Sequence, residues 1–295
     1  MVSDKCIMVN RTEIERDLGQ IADMLLLNGT LTECPGLVHG KMGIAIFFFH
    51  YAQHTGNELY ADYSMDLIDE MLNQIHVNSP ADYEKGIAGI GIGIDYLIRN
   101  NFLNVEDDIC EDFDDRMYRA TMYDPWQDFS QYNGLTGYGR YWITRLRYQA
   151  PSVQARECLL RITALIEEKS LEISIEEKAD VYCFLLDLHR ISGFDNYFRL
   201  MEQCQKIWDL QSPDAIHSFP RLGDSIAGNI IRTYQRSRYF NYFTQDEINF
   251  TLKQILALDT EKVPKSMGLH TGYAGEGMLR LTSIDRTNIS WMDLL

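Results

Sequence analysis

Apolar residues recur along this chain at helical intervals, in two distinct styles. After Gly40 the set Ile44, Phe47, Phe48 and Tyr51 keeps a period near 3.6, as does Ile90, Ile94, Leu97 and Ile98 after Gly86. Both stretches are apolar nearly all round, which predicts helices buried on most sides. Between them lie one-sided patterns at about 11–27, 58–75, 106–121, 152–170, 195–210 and 244–258. The second of these carries Leu59, Tyr63, Leu67, Met71 and Ile75 on one face, with Asp62, Asp66 and Glu70 elsewhere. Thr55 to Glu58, Ser174 to Glu177 and Thr244 to Glu247 have capping-box spacing. No strand-like alternation competes with these helices.

Each all-round apolar helix follows a glycine-rich knot. Gly40, Gly86, Gly134, Gly223 and Gly272 occupy equivalent places, and successive gaps are 46, 48, 89 and 49 residues. The double gap predicts a degenerate unit near residue 178, where EEKADVYCFLLDLHR keeps the apolar pattern without the glycines. Six units therefore begin near residues 36, 82, 130, 175, 219 and 268. Six buried helices alternating with six amphipathic ones predict an all-α fold. The economical arrangement is an α/α toroid, an inner ring of six inside an outer ring of six, forming one domain over 1–295. An open superhelix is the alternative. The knot glycines are expected to let helix starts crowd together and to permit φ > 0.

Charge and cysteines narrow the functions. Forty-three acidic residues against 27 basic ones give a net charge of −16, which disfavours nucleic acid and anionic lipid as partners. The six cysteines form no CxxC pair and fall mostly within helical apolar patterns, so no disulfide framework is expected. The N-terminal stretch carries charges where a signal peptide needs an apolar core, and no apolar run is long enough for a membrane span. The expectation is a cytoplasmic protein.

Parallel knot helices would converge their N-termini on one mouth, offering unpaired backbone N–H groups to a carboxylate or carbonyl oxygen. Polar residues beside the knots are the candidates to line it. His39, Asp224 and His270 are the candidate catalytic groups. Lys41, Tyr132, Asn133, Asp180, Arg221 and Thr271 are candidates for substrate binding. A histidine before a helix-starting glycine also serves as a packing residue, and Asp180 or Asp224 as a first-turn partner of the helix dipole.

The segments GLVHGKMGIAIFFFHYAQHTG, KGIAGIGIGIDYLI and ADVYCFLLDLHRISG resemble the lanthionine synthetase C-like proteins, the lantibiotic cyclases and their relatives. The resemblance runs from about residue 30 to 282 and implies an α/α barrel. It also implies a zinc ion at the barrel mouth, held by two cysteines and a histidine, which activates a peptide thiol for addition to a dehydrated serine or threonine. A histidine in a G-x-x-H-G context, matched in form by Gly36 to Gly40, moves the proton. The implied ligand motifs are W-C-x-G and C-H-G. Here Pro220-Arg221-Leu222-Gly223 stands for the first and His270-Thr271-Gly272 for the second. Arg221 cannot ligate zinc. No metal site of the family type, and no other cofactor, is therefore expected.

Three functions compete. The favoured one is a zinc-less cyclase relative that binds a ribosomal peptide, or a peptide-modifying enzyme partner, at the mouth. An α/α-toroid enzyme acting on carbohydrate would pair Asp180 with Asp224 as acid and base, near the aromatics Trp126, Tyr132 and Tyr138. Thiol chemistry with substitute ligands would draw on His39, His270 and Asp224.

Overall fold

The computed structural model describes residues 2–76, 78–104, 109–148, 152–191, 197–208, 226–239, 266–270 and 272–295. These residues are helical or loop, with no strand among them. Knot-following helices alternate with flanking ones. The order is α1 (Val2–Asn28), α2 (Lys41–Thr55), α3 (Leu59–Gln74), α4 (Ile87–Arg99), α5 (Glu111–Met122) and α6 (Leu135–Tyr148). Then come α7 (Val153–Lys169), α8 (Ile175–His189), α9 (Phe198–Trp208), α10 (Ile226–Tyr239), α11 (Tyr273–Ile284) and a closing 3₁₀ segment, Arg286–Leu294. The degenerate unit does supply a helix, α8. The expected helix over 244–258 lies outside the described residues. Among the described residues no helix is long and apolar enough to cross a membrane.

Contacts divide the chain into two compact units, 1–76 with 222–295, and 77–221. In the first, α2 packs on α3, and α11 packs on both α1 and α2 and also meets α10 and the 3₁₀ segment. Its core includes Leu18, Leu25, Phe47, Phe48, Met71, Leu279 and Trp291. Helix α2 is buried continuously from Lys41 to Ala52, as its apolar circumference predicts. In the second unit α4 packs on α5 and α6, α6 on α7 and α8, α5 on α7, and α8 on α9. Ile94, Met117, Trp142, Ile162, Phe184 and Leu185 form its core. A fully buried side chain of this size contributes about 1.5–3 kcal/mol.

Neighbouring knot helices meet through one repeated device. The third glycine of the G-x-x-G-x-G pattern faces an aromatic ring on the next knot helix. An added Cβ at Gly91 would strike Tyr141, at Gly139 it would strike Phe184, and at Gly277 it would strike Phe47. The last of these joins the final knot helix to the first, inside the first unit.

Of the capping signals, one forms as expected and one does not. Ser174 and Glu177 form the reciprocal capping box at the start of α8. Thr55 does not cap α3. Its hydroxyl donates back to the Tyr51 carbonyl at 2.9 Å, because Gly56, at φ 68°, ends α2 there and donates its N–H to Ala52. Asn57 takes over the role, its side-chain oxygen accepting the Leu59 N–H at 3.2 Å. The Thr244–Glu247 pair lies outside the described residues.

Candidate functional site

The described knots share one backbone geometry. Gly40, Gly86 and Gly272 are N-caps in extended conformation, with φ of −125°, −105° and −112°. The chain before each glycine folds over the helix start, so that the first helical N–H donates to the carbonyl seven residues earlier. Lys41 donates to Cys34 (2.9 Å), Ile87 to Pro80 (2.9 Å), Leu135 to Asp128 (2.9 Å) and Tyr273 to Ser266 (3.1 Å). The second N–H repeats the pattern in Met42 to Pro35, Ala88 to Ala81 and Ala274 to Met267. In the third knot the Thr136 hydroxyl takes the matching carbonyl, Phe129, at 2.9 Å.

Two expectations are corrected by this arrangement. Positive φ is not why glycine is needed. A Cβ on Gly40, Gly86 or Gly134 would collide with the carbonyl oxygen of Cys34, Pro80 or Asp128, the same atom that caps the next N–H. The helix starts also do not offer their first amides to a ligand, since the knot's own carbonyls satisfy them.

Adjacent knots are then stitched together in a fixed register. The Tyr83 and Glu84 N–H groups both donate to the Tyr132 carbonyl, at 2.9 and 3.0 Å. The Leu269 and His270 N–H groups donate in the same way to Val38, at 2.9 and 3.2 Å. Counted from their glycines, the donors and acceptors of the two pairs occupy identical positions. Knot three meets the degenerate unit through two carboxylates, one of them at the stitching amide. Glu177 Oε1 accepts the Phe129 N–H at 2.6 Å, and Asp180 Oδ2 accepts the Gln131 N–H at 2.8 Å. Burial pushes the Asp180 carboxyl up to about 7.

The stitching brings together two of the three candidate catalytic residues. His39 and His270 lie edge to face with ring centroids 6.2 Å apart. His270 is buried and His39 partly exposed, so His39 presents the pair to solvent. Lys41, one residue past the knot glycine, is buried and donates to Glu70 of α3 at 2.6 Å, which accounts for its charge without a ligand. Tyr132 contributes its carbonyl to the stitch, while burial pushes its phenol above the ordinary tyrosine range. Arg221, Asp224 and Thr271 lie outside the described residues.

Asn133 is exposed and joins a cleft of about 240 Å³ in the second unit. Asp82, Arg116, Asp124, Trp126 and Tyr138 line it with Asn133. Trp126 and Tyr138 were both legible as aromatics near one mouth, whereas Asp82, Arg116 and Asp124 were missed. Asp82 lies in the second knot, Arg116 on α5 and Asp124 in the loop after it, so no shared motif marked them.

Zinc of the kind implied by the family resemblance does not fit the residues at the ligand positions. Arg221 is a permanent cation, Thr271 offers only a neutral hydroxyl, and His270 alone is a nitrogen donor. No group of three or more His, Cys, Asp or Glu side chains is gathered as for a metal among the described residues. Cys34, Cys110, Cys158, Cys183 and Cys204 are free thiols. Burial raises the Cys158 thiol to about 12 and Cys204 to about 11, far from a thiolate at neutral pH. No protein-family description matches the chain, and no curated protein matches it in sequence.

Proposed function

We propose that the chain is a lanthionine synthetase C-like protein, an α/α toroid that binds a peptide beside its knots without zinc-dependent thioether chemistry. In this reading it serves ribosomal peptide maturation in the cytoplasm, holding either the peptide substrate or a peptide-modifying partner. The observation that carries the reading is the bond of Leu269 and His270 to the Val38 carbonyl. It joins the last knot to the first in the register that joins the second knot to the third. An open superhelix gives its first and last repeats no reason to share that register, and a ring requires it. The division of the chain supports the same conclusion, since one unit combines residues 1–76 with 222–295.

The functional half rests on His39, which lies in the G-x-x-H-G context and is braced by His270. With Arg221 and Thr271 at ligand positions, an imidazole pair can bind and exchange a proton with a peptide group but has no metal to generate a thiolate. The paired-carboxylate alternative has less support, because Asp180 spends its carboxylate on the Gln131 amide.

Fluorescence anisotropy with a labelled peptide bearing one dehydroalanine and one cysteine tests the reading. Saturable binding that weakens about tenfold in His39→Ala, roughly the loss of one charge-assisted hydrogen bond, is expected. Equal binding by wild type and variant would remove His39 from the site.

A further inference from the structure

The cleft of the second unit assembles chemistry that neither the knots nor the His39–His270 pair uses. Trp126 is 57% exposed, a large indole face left to solvent at its rim. Arg116, on α5, brings a guanidinium to the cleft, its Nε buried and without a hydrogen-bond partner. Asp82 and Asp124 bring two carboxylates, of which Asp82 Oδ1 accepts the Lys85 N–H at 2.7 Å. Tyr138 forms the floor. Burial, with the charges of Asp82 and Asp124 opposing that of Arg116, holds its hydroxyl up at about 12, so it stays protonated.

Each simple ligand class meets an obstacle here except one. A cation would face the Arg116 guanidinium, and an anion would face both carboxylates. A wholly apolar ligand would strip water from the two carboxylates and the guanidinium that line the cleft and offer no bond in return. A neutral ring with hydroxyls on its edge and C–H groups on its face satisfies all the groups together. The volume of about 240 Å³ falls below the roughly 300–1,000 Å³ of drug-sized sites, which limits the occupant to about one ring.

We propose that this cleft binds a single saccharide unit, stacked on Trp126, with its hydroxyls donating to Asp82 and Asp124 and accepting from the Arg116 guanidinium. The cleft lies within residues 77–221, while the peptide reading concerns His39 and His270 of the other unit, so either can fail without the other.

Saturation-transfer NMR on the full chain tests it. The probes are D-glucose, D-galactose, D-mannose and N-acetyl-D-glucosamine, with spermidine as the cationic probe and citrate as the anionic one. At least one sugar should receive saturation at its ring C–H protons, and its binding should weaken about tenfold in Trp126→Ala and in Arg116→Gln. Tyr123→Ala, at a residue 76% exposed and not lining the cleft, should leave binding unchanged. Circular dichroism of each variant separates lost binding from lost fold, and Trp126 is exposed enough that its truncation spares the core. Silence from all four sugars overturns the assignment. So does binding that survives Trp126→Ala, or Trp126-dependent binding of spermidine or citrate instead.

Discussion

The Phe47 ring lies against the bare Cα of Gly277, joining the first knot helix to the last as Tyr141 joins α6 to Gly91 of α4. Adding a methyl at Gly277 should therefore destabilise the protein by about 1–3 kcal/mol, despite alanine's better helix propensity. The same change at Gly19, where nothing lies within 4 Å of an added Cβ, should stabilise it by about 0.5–1 kcal/mol. In a Phe47→Ala background the Gly277→Ala penalty should vanish, a coupling of about 0.5–3 kcal/mol in urea unfolding. Additive effects would mean the two helices do not depend on this contact.

Asp180 gives a second test, through pH. Its folded-state carboxyl is raised to about 7 by burial, while an unfolded aspartate titrates near 3.9. Between these values the folded protein binds more protons than the unfolded one. This group's contribution to stability is therefore full below about pH 4, falls as pH rises to about 7, and is flat beyond. Asp180→Asn keeps an acceptor for the Gln131 amide and removes the titration. Denaturation midpoints across this range should lose that downward component.

His50 has the opposite sign. Burial lowers it to about 4, against about 6.5 unfolded, so the folded protein keeps it neutral where the unfolded chain protonates. Its contribution is full above about pH 6.5 and is lost as pH falls toward 4. The two slopes oppose each other in the wild type over about pH 4–6.5. His50→Gln should unmask a steeper loss of stability with rising pH, and Asp180→Asn a steeper loss with falling pH.

Arg280 is 2% exposed on α11, donates to Glu276 at 3.2 Å and lies 3.8 Å from Asp17 of α1. Arg280→Met keeps most of the volume but leaves Glu276 without its cation and Asp17 with only the exposed Arg16, 3.5 Å away. A loss of about 3–5 kcal/mol is expected, read as a lowered denaturant midpoint. A neutral outcome would mean that α1 and α11 are held by apolar packing alone.

What the sequence made legible were features with local causes. The glycine knots gave the repeat, the helix order and the degenerate unit at α8, because a backbone that must pass close to its own carbonyl admits no Cβ at Gly40 or Gly86. The reason for those glycines was not legible. It lies in a carbonyl six residues back that also consumes the helix's first N–H, and a residue pattern carries no record of that bond. Asp180 was recognised as a polar group beside a knot, but its role depends on the Gln131 amide of a neighbouring unit, 49 residues away in sequence. The cleft was harder still. Asp82, Arg116 and Asp124 come from a knot, a helix and a loop, with no motif linking them.

The proposed ring closure has its own solution measurement. A closed domain of this length should have a radius of gyration of about 19 Å by small-angle scattering. An open superhelix of the same chain would exceed that clearly.

The most direct test of the central claim is a free-thiol count on the dehydroalanine–cysteine peptide, incubated with the protein in zinc-free and in zinc-supplemented buffer. The account predicts that the peptide binds and its thiol persists in both, because Arg221 and Thr271 leave no ligand set to activate it. Zinc-dependent consumption of the thiol, with thioether formation, would contradict it.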